Sequence, residues 1–437
     1  MTTQVDIAKQ GKISEEMKIV AQKEGVDAEF VRKGLEAGRI IIPKSNIRDY
    51  EPIGIGKGLL VKINANIGSS MTICNIEEEL EKAKIAVKFG ADTVMDLSTG
   101  VTEQNLINIR KNILKEVKVP LGTVPIYQVG LRSLERDGAI IDMTEDDMFK
   151  IVEEQAKEGV DFFTIHAGVT KEIINYLKDH PRMMGVVSRG GTFLAAWIIH
   201  HDLENPYYKN FDYLLEMARE YDFSLSLGDG MRPGGIFDST DYVQIQELLT
   251  ISKLVKRCWK KNIQVMVEGP GHIPAHEIER NVKLQKSICN DAPFYVLGPL
   301  VTDIASGYDE IVSAIGGTIA GLAGADFLCY VTPSEHLSLP NIEEVKRGVI
   351  ATKIAAHAVN ISKYGERASN WDRKMNIARN NLNWKEMIKL SIDPETARSI
   401  HNRSGESMDM EPCSMCGDFC AIKILKEALS RSKKKKG

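Results

Sequence analysis

The run Cys413-Ser-Met-Cys416-Gly-Asp-Phe-Cys420 places three thiols two and then three residues apart near the end of a 437-residue chain. Three thiolates in so tight a loop suit a metal centre. A structural zinc takes four protein ligands and would need a further donor such as His401, whereas a [4Fe–4S] cluster held by three Cys keeps one iron open for an exogenous ligand. S-adenosylmethionine is such a ligand: chelated to the open iron and given one electron by an external donor, it yields a 5′-deoxyadenosyl radical. The spacing suits the cluster better than a zinc knot, which stays the alternative. Cys74, Cys258, Cys289 and Cys329 are scattered, so the seven cysteines do not form a disulfide framework.

A second set of reactive side chains closes short apolar runs. Met95-Asp96, Tyr127-Gln128, His166, Ser188-Arg-Gly-Gly191, Asp229-Gly-Met-Arg232 and Glu268 end such runs, Tyr295 lies within one, and Glu335-His336 follow another. Capping and turn formation favour Ser, Asp, Asn and Gly over His, Arg and Glu, so this recurrence points to an active site. Two of the segments pair Arg with Gly, which lets backbone N–H groups approach an anion while the guanidinium supplies bidentate charge. A phosphorylated small-molecule substrate follows, with a simple Asp229–Arg232 ion pair as the alternative. His272 and His336 sit just after strand ends, where two neutral imidazoles suit one divalent cation, or else a hydrogen-bonded pair of histidines. The glycines of Gly54-Ile-Gly-Lys-Gly58 lack the spacing of a nucleotide-binding loop and read as a tight turn.

The elements that must position these groups repeat one pattern between residues 78 and 363. Eight strand-like runs are expected at 93–95, 122–127, 162–166, 185–188, 223–228, 264–268, 294–298 and 327–332. Helical periodicity fills the gaps at 76–88, 145–158, 211–221, 242–261 and 342–358. Alternating strands and helices predict an α/β fold, a (β/α)8 TIM-type barrel over residues 76–363. Residues 1–75 read as a small N-terminal domain, and 364–437 as a helical C-terminal region carrying the CxxCxxxC motif and ending in a solvated run, Lys433-Lys436. The uncharged stretch 311–325 is too short to span a bilayer and reads as a buried helix running into a strand.

With 56 Lys plus Arg against 60 Asp plus Glu, a net charge of −4 argues against nucleic acid as a partner. Early charges at Asp6, Lys9 and Lys12 leave no secretory or membrane segment at the start, so a cytoplasmic location is expected.

Eight segments together resemble the phosphomethylpyrimidine synthase (ThiC) family: Asn64-Ala-Asn-Ile-Gly68, Met95-Asp-Leu-Ser-Thr99, Gly122-Thr-Val-Pro-Ile-Tyr127, Ser188-Arg-Gly-Gly191, Ser226-Leu-Gly-Asp-Gly230, Val267-Glu-Gly-Pro-Gly-His272, Phe294-Tyr-Val-Leu-Gly-Pro299 and Tyr330-Val-Thr-Pro-Ser-Glu-His336. The resemblance implies a radical S-adenosylmethionine enzyme acting on 5-aminoimidazole ribotide as a homodimer, with the cluster on Cys413, Cys416 and Cys420. It also implies a divalent metal, zinc, on His272 and His336. Ribotide contacts would fall to Asn66, Met95, Tyr127, His166, Ser188, Arg189, Gly190, Asp229, Gly230, Met231, Arg232, Glu268 and Tyr295. Glu268 and His166 are the expected proton-transfer groups. Where the family's thiamin branch reads Ala-Pro-Gly-Tyr-Asp-His and Glu-His-Leu-Gly, this chain has Ala305-Ser-Gly-Tyr-Asp-Glu310 and Glu335-His-Leu-Ser338. The spacing between Cys416 and Cys420 is also one residue shorter than usual for the family. If Glu310 faces the cavity, it becomes a third catalytic candidate, which favours the branch that rearranges the ribotide into 5-hydroxybenzimidazole for cobamides. The pyrimidine synthase itself is the runner-up, and a non-enzymatic zinc-binding barrel the third reading.

Overall fold

The computed structural model describes residues 2–404 and 412–434. Lys435 and Lys436 of the terminal lysine run lie outside the described residues. The chain divides into two compact units, one through Lys363 and one from Tyr364 onward.

In the first unit, a two-stranded antiparallel ribbon pairs β1 (Ile40–Ile41) with β2 (Ile55–Gly56). Eight parallel strands then close into a barrel: β3 (Lys62–Ile67), β4 (Thr93–Asp96), β5 (Leu121–Thr123), β6 (Phe162–Ile165), β7 (Ser224–Leu227), β8 (Val265–Gly269), β9 (Phe294–Leu297) and β10 (Phe327–Cys329). β10 pairs with both β9 and β3, which completes the ring. Helices cover the outer face, so the strands are buried on both sides and read as nearly continuous apolar runs rather than alternating ones. Helix starts are set by side-chain caps: Asn75, Thr102, Thr144, Thr170 and Asp241 each accept a backbone N–H from the first turn that follows.

The expected (β/α)8 barrel is present, with one strand exchanged. Residues 185–188 form no strand; Ser188 instead caps the helix Arg189–His201, its Oγ accepting the Gly191 N–H at 3.2 Å. The missing strand is β3, which lies inside the segment assigned to a separate domain, so the barrel begins before residue 76 and the boundary at 75 is corrected. No strand is expected at Asn64-Ala-Asn-Ile-Gly68 from sequence. In the barrel Asn64 and Asn66 are buried or half-buried polar side chains on a strand, where Asn64 donates to the Tyr295 hydroxyl at 2.7 Å and accepts from Thr93 Oγ1 at 2.7 Å. The preceding segment packs against residues at the N-terminal ends of the strands: Ser45 N–H donates to Asp161, and Ile42 N–H to Gln264.

The stretch 311–325 contributes a helix, Asp309–Ala323, running into β10 as expected, but it is not buried all round. Its small residues face the barrel, and a Cβ on Gly316 would lie 1.9 Å from the Pro299 carbonyl oxygen. Ile311, Ile315 and Leu322 are about half exposed on this helix. Among the described residues no helix is long and apolar enough to cross a membrane.

The second unit is helical: Glu366–Asn380, Trp384–Lys389, Pro394–His401 and Ala421–Lys434. Trp371 Nε1 donates to the Leu390 carbonyl at 2.7 Å, and the Trp384 ring stacks on His401.

Candidate active site

The C-terminal ends of the barrel strands surround a cavity lined by Asn66, Met95, Tyr127, His166, Asp229, Arg232, Glu268 and Tyr295, all expected from sequence, and by Thr164, Cys329 and Glu335 beside them. Glu268, near the end of β8, accepts two hydroxyl donors on the same oxygen: Thr164 Oγ1 at 2.6 Å from β6 and Ser226 Oγ at 2.7 Å from β7. Burial pushes its carboxyl above the usual range, and these two bonds pull the other way. Asp229 is raised by burial as well, opposed by Arg232, whose Nη1 lies 3.4 Å from Asp229 Oδ1. The structure shows the Asp229–Arg232 ion pair, and among the described residues Asp229 Oδ2 is buried without a hydrogen-bond partner, an acceptor open to a donor from a ligand.

Ser188, Arg189 and Gly190 lie beside this cavity, at the start of the helix Arg189–His201. Ser188 Oγ is 3.3 Å from His166 Nε2, and the Arg189 guanidinium sits 5.2 Å from the centre of the Tyr127 ring. A Cβ on Gly190 would fall 2.4 Å from His166 Cε1, and one on Gly191 2.2 Å from the Gly230 carbonyl oxygen. Glycines there bring the two Arg–Gly segments together backbone to backbone. The Met231 N–H donates at 2.7 Å to Glu247, a buried carboxyl in the helix Tyr242–Lys260 that holds the Asp229–Arg232 turn from below. Burial lowers His166 to about 3, with the Arg232 charge adding to the effect, so its ring is neutral at pH 7. Among the described residues its Nδ1 has no hydrogen-bond partner.

At the rim, His272 and His336 face each other with their Nε2 atoms 3.2 Å apart. Each Nδ1 meets a carboxylate, Asp303 at 2.7 Å and Asp309 at 3.0 Å. A carboxylate on Nδ1 fixes the tautomer that presents Nε2 as a lone-pair donor, the arrangement found behind metal-ligating histidines. Among the described residues no group of three His, Cys, Asp or Glu side chains is arranged to hold a metal ion, so the rim supplies two protein donors.

Glu310 does not belong to the cavity. It begins the helix Asp309–Ala323 as a buried carboxyl ion-paired with Arg347, and it is not among the lining residues. The expectation that it faces substrate is corrected: the helix's first turn aims it at a neighbouring helix. Ser338 lies in an exposed turn.

In the second unit, the Cys413 carbonyl accepts the Cys416 and Gly417 N–H groups at 3.1 and 2.9 Å, so the thiol segment is a tight turn. Desolvation and the neighbouring Cys413 and Cys420 sulfurs raise the Cys416 thiol. Cys413, Cys416 and Cys420 have the donor chemistry that would hold an Fe–S cluster with an open iron, although the three thiols do not converge on one point in this structure.

Sequence reasoning misses Thr164, Ser226, Glu247 and Cys329. Small hydroxyls within a strand and one Glu within a helix carry no sequence signal of their own. Cys329 reads as a scattered thiol, yet it closes β10 with Asn66 Nδ2 at 3.0 Å, and burial pushes its thiol up to about 12.

A closed parallel barrel with buried, partly unmet charge at the C-terminal ends of its strands defines a TIM-barrel enzyme. Residues 3–427 match the Radical SAM ThiC family, and the chain belongs to that family. It is 57% identical over 425 residues to the phosphomethylpyrimidine synthase of Methanocaldococcus jannaschii, covering 97% of this chain and 99% of that one. It is also 57% identical over 428 residues to the phosphomethylpyrimidine synthase of Pyrococcus furiosus, covering 98% of each. Among solved structures it is similar to dihydropteroate synthase from Thermus thermophilus, with a TM-score of 0.40, 12% identity and coverage of 70% and 95%, a likeness that carries no argument. Family membership makes the chain a radical S-adenosylmethionine enzyme, which removes the non-enzymatic zinc barrel, and implies the [4Fe–4S] cluster. The benzimidazole expectation is overturned: near-full-length relatives carry the pyrimidine synthase name, and the residue that favoured the other branch, Glu310, is turned away from the cavity.

Proposed function

We propose that the protein is a phosphomethylpyrimidine synthase, rearranging 5-aminoimidazole ribotide into 4-amino-5-hydroxymethyl-2-methylpyrimidine phosphate. The observation that carries this reading is the barrel-end cavity, with Arg232, Asp229 and Glu268 at one site, combined with relatives of that name over 97% of the chain. Arg189 and the N–H groups opening the helix Arg189–His201 suit the ribotide phosphate, because a helix N-terminus presents free donors to an anion. Asn66, Met95, Tyr127 and Tyr295 shape the walls for the ring and ribose. Glu268 is the proton-transfer group in this reading, held in a site where its neutral form is favoured. His166, neutral at pH 7, acts as a hydrogen-bond partner to substrate rather than as an imidazolium acid.

Cys413, Cys416 and Cys420 are the residues that would hold the cluster, which with S-adenosylmethionine would supply radical chemistry to the site. His272 and His336 hold a divalent cation, zinc being suited to imidazole, and Asp303 and Asp309 orient the two rings. The half-exposed Ile311, Ile315 and Leu322 support a homodimer in a cytoplasmic enzyme. Anaerobic incubation of reconstituted protein with 5-aminoimidazole ribotide, S-adenosylmethionine and a reductant tests the reading. Mass spectrometry should show the phosphorylated pyrimidine, and its absence with active cluster and radical formation would reject the assignment.

A further inference from the structure

We infer that Thr164 and Ser226 are positioning residues that hold Glu268 by Oε1 and so leave Oε2 as the oxygen that meets the substrate. The inference rests on the reading of Glu268 as a substrate-contacting group and deepens it. Two hydroxyls from adjacent strands, β6 and β7, reach one carboxylate oxygen on the next strand, β8, at 2.6 and 2.7 Å. Both are buried, Thr164 at 3% exposure and Ser226 at 0%. Neighbouring parallel strands set these three positions rigidly, because Thr164 pairs in register with Ser226 across β6 and β7. An sp² carboxylate oxygen has two lone pairs, and two O–H donors fill them. Any further hydrogen bond or proton at Glu268 then falls to Oε2, which substrate shares with the nearby Asp229 N–H that also favours the carboxylate.

This assigns a direction to the chemistry. When the carboxyl is protonated, the proton sits on Oε2, because both lone pairs of Oε1 already accept hydroxyl donors. When it is ionised, the same donors hold the charge in a buried setting that would otherwise oppose it. Small hydroxylated residues inside two strands are thus parts of the acid–base group rather than fillers of the barrel interior.

The test uses the full chain with Thr164→Val, Ser226→Ala and the pair combined, alongside Thr164→Ser, which keeps the hydroxyl. pH-difference infrared spectroscopy reads the protonated carboxyl band, and Glu268→Gln identifies which band belongs to Glu268. In the double variant the band's midpoint should rise by about one pH unit or more, since the anion loses two donors, and its frequency should move. Thr164→Ser should keep the wild-type midpoint and frequency. Ribotide affinity, measured calorimetrically, should fall about tenfold in the double variant, the equivalent of one lost charge-assisted hydrogen bond. An unchanged midpoint and frequency in a double variant that folds as the wild type does would overturn the inference. Thr164→Val, close in shape to the residue it replaces, carries the same comparison should the double variant not fold. A shifted band in a protein that does not bind ribotide would keep the positioning role and reject the proposed function instead.

Discussion

The two ends of the barrel bury carboxylates in opposite ways. At the N-terminal end, Asp161, just before β6, receives Arg48 Nη1 at 2.5 Å, the Tyr50 hydroxyl at 2.5 Å, the Ser45 N–H at 2.6 Å and the Leu121 N–H at 2.7 Å. Both oxygens are engaged by this chain, and Arg48 also donates to the carbonyls of Leu114, Val117 and Val119. At the C-terminal end, Asp229 and Glu268 share one guanidinium, Arg232, with Arg182 the nearest cation to Glu247, and among the described residues the buried atoms Asp229 Oδ2 and His166 Nδ1 have no hydrogen-bond partner. The first arrangement joins the N-terminal segment to the barrel. The second leaves hydrogen-bonding capacity open at the cavity, on Asp229 and His166, while burial raises the carboxyls at both ends, Asp161 as well as Asp229 and Glu268. Stability and function are thus separated along the barrel axis.

The largest effect should come from breaking the saturated end. Arg48→Met leaves Asp161 buried without its cation and should destabilise the first unit by about 3–5 kcal/mol, read by denaturant unfolding, while ribotide affinity of the folded protein stays unchanged. The mirror change, Arg232→Met, should weaken ribotide binding by about 100-fold, or about 2.7 kcal/mol, in calorimetry, with a smaller loss of stability than Arg48→Met. If the two variants lost stability and affinity in the same proportion, the division between the ends would be wrong.

A pH experiment sharpens the comparison. His166 has its folded value depressed to about 3 from an ordinary value of 6.5, so below pH 6.5 the unfolded chain binds a proton that the folded chain refuses. Stability therefore falls with acid in the window from 6.5 toward 3. At pH 5 the loss should be about 2 kcal/mol relative to pH 7, and His166→Gln should remove that part of the slope in urea titrations.

How much of this is legible in the sequence depends on the kind of side chain. His166, Asp229, Arg232 and Glu268 are readable because a reactive residue at the end of an apolar run has little structural reason to be there. β3 is not, since two Asn interrupt its apolar pattern, and only the barrel interior supplies Thr93 and Tyr295 as partners for Asn64 and Cys329 for Asn66. Residues 185–188 look like a strand through their valines, yet Gly185 has φ +69° and Ser188 caps a helix. Glu247 and the hydroxyls of Thr164 and Ser226 acquire meaning only through contacts with residues 16 to 104 positions away. Glu310 misleads for the complementary reason: a changed charge near a motif says nothing of the direction in which its helix points.

The smallest effect is expected there. Glu310→His, which restores the residue typical of the family's thiamin branch, removes a buried carboxyl whose Oε2 has no partner among the described residues and leaves half-exposed Arg347 to water, so stability should change by about 1 kcal/mol. Product analysis should show the same pyrimidine from both proteins.

Thermal unfolding of wild type and Glu268→Gln, each with and without ribotide, addresses the division of the barrel most directly. Glu268 has its folded value raised above the unfolded one, so its ionised form costs stability as pH rises past the unfolded value. At pH 8 the Gln variant should therefore be at least as stable as the wild type without ligand. With ribotide at 100 times its dissociation constant the wild type should gain about 2.7 kcal/mol, and the variant should gain little. A variant that is less stable alone yet stabilised equally by ribotide would show that Glu268 serves the fold, and would contradict the account.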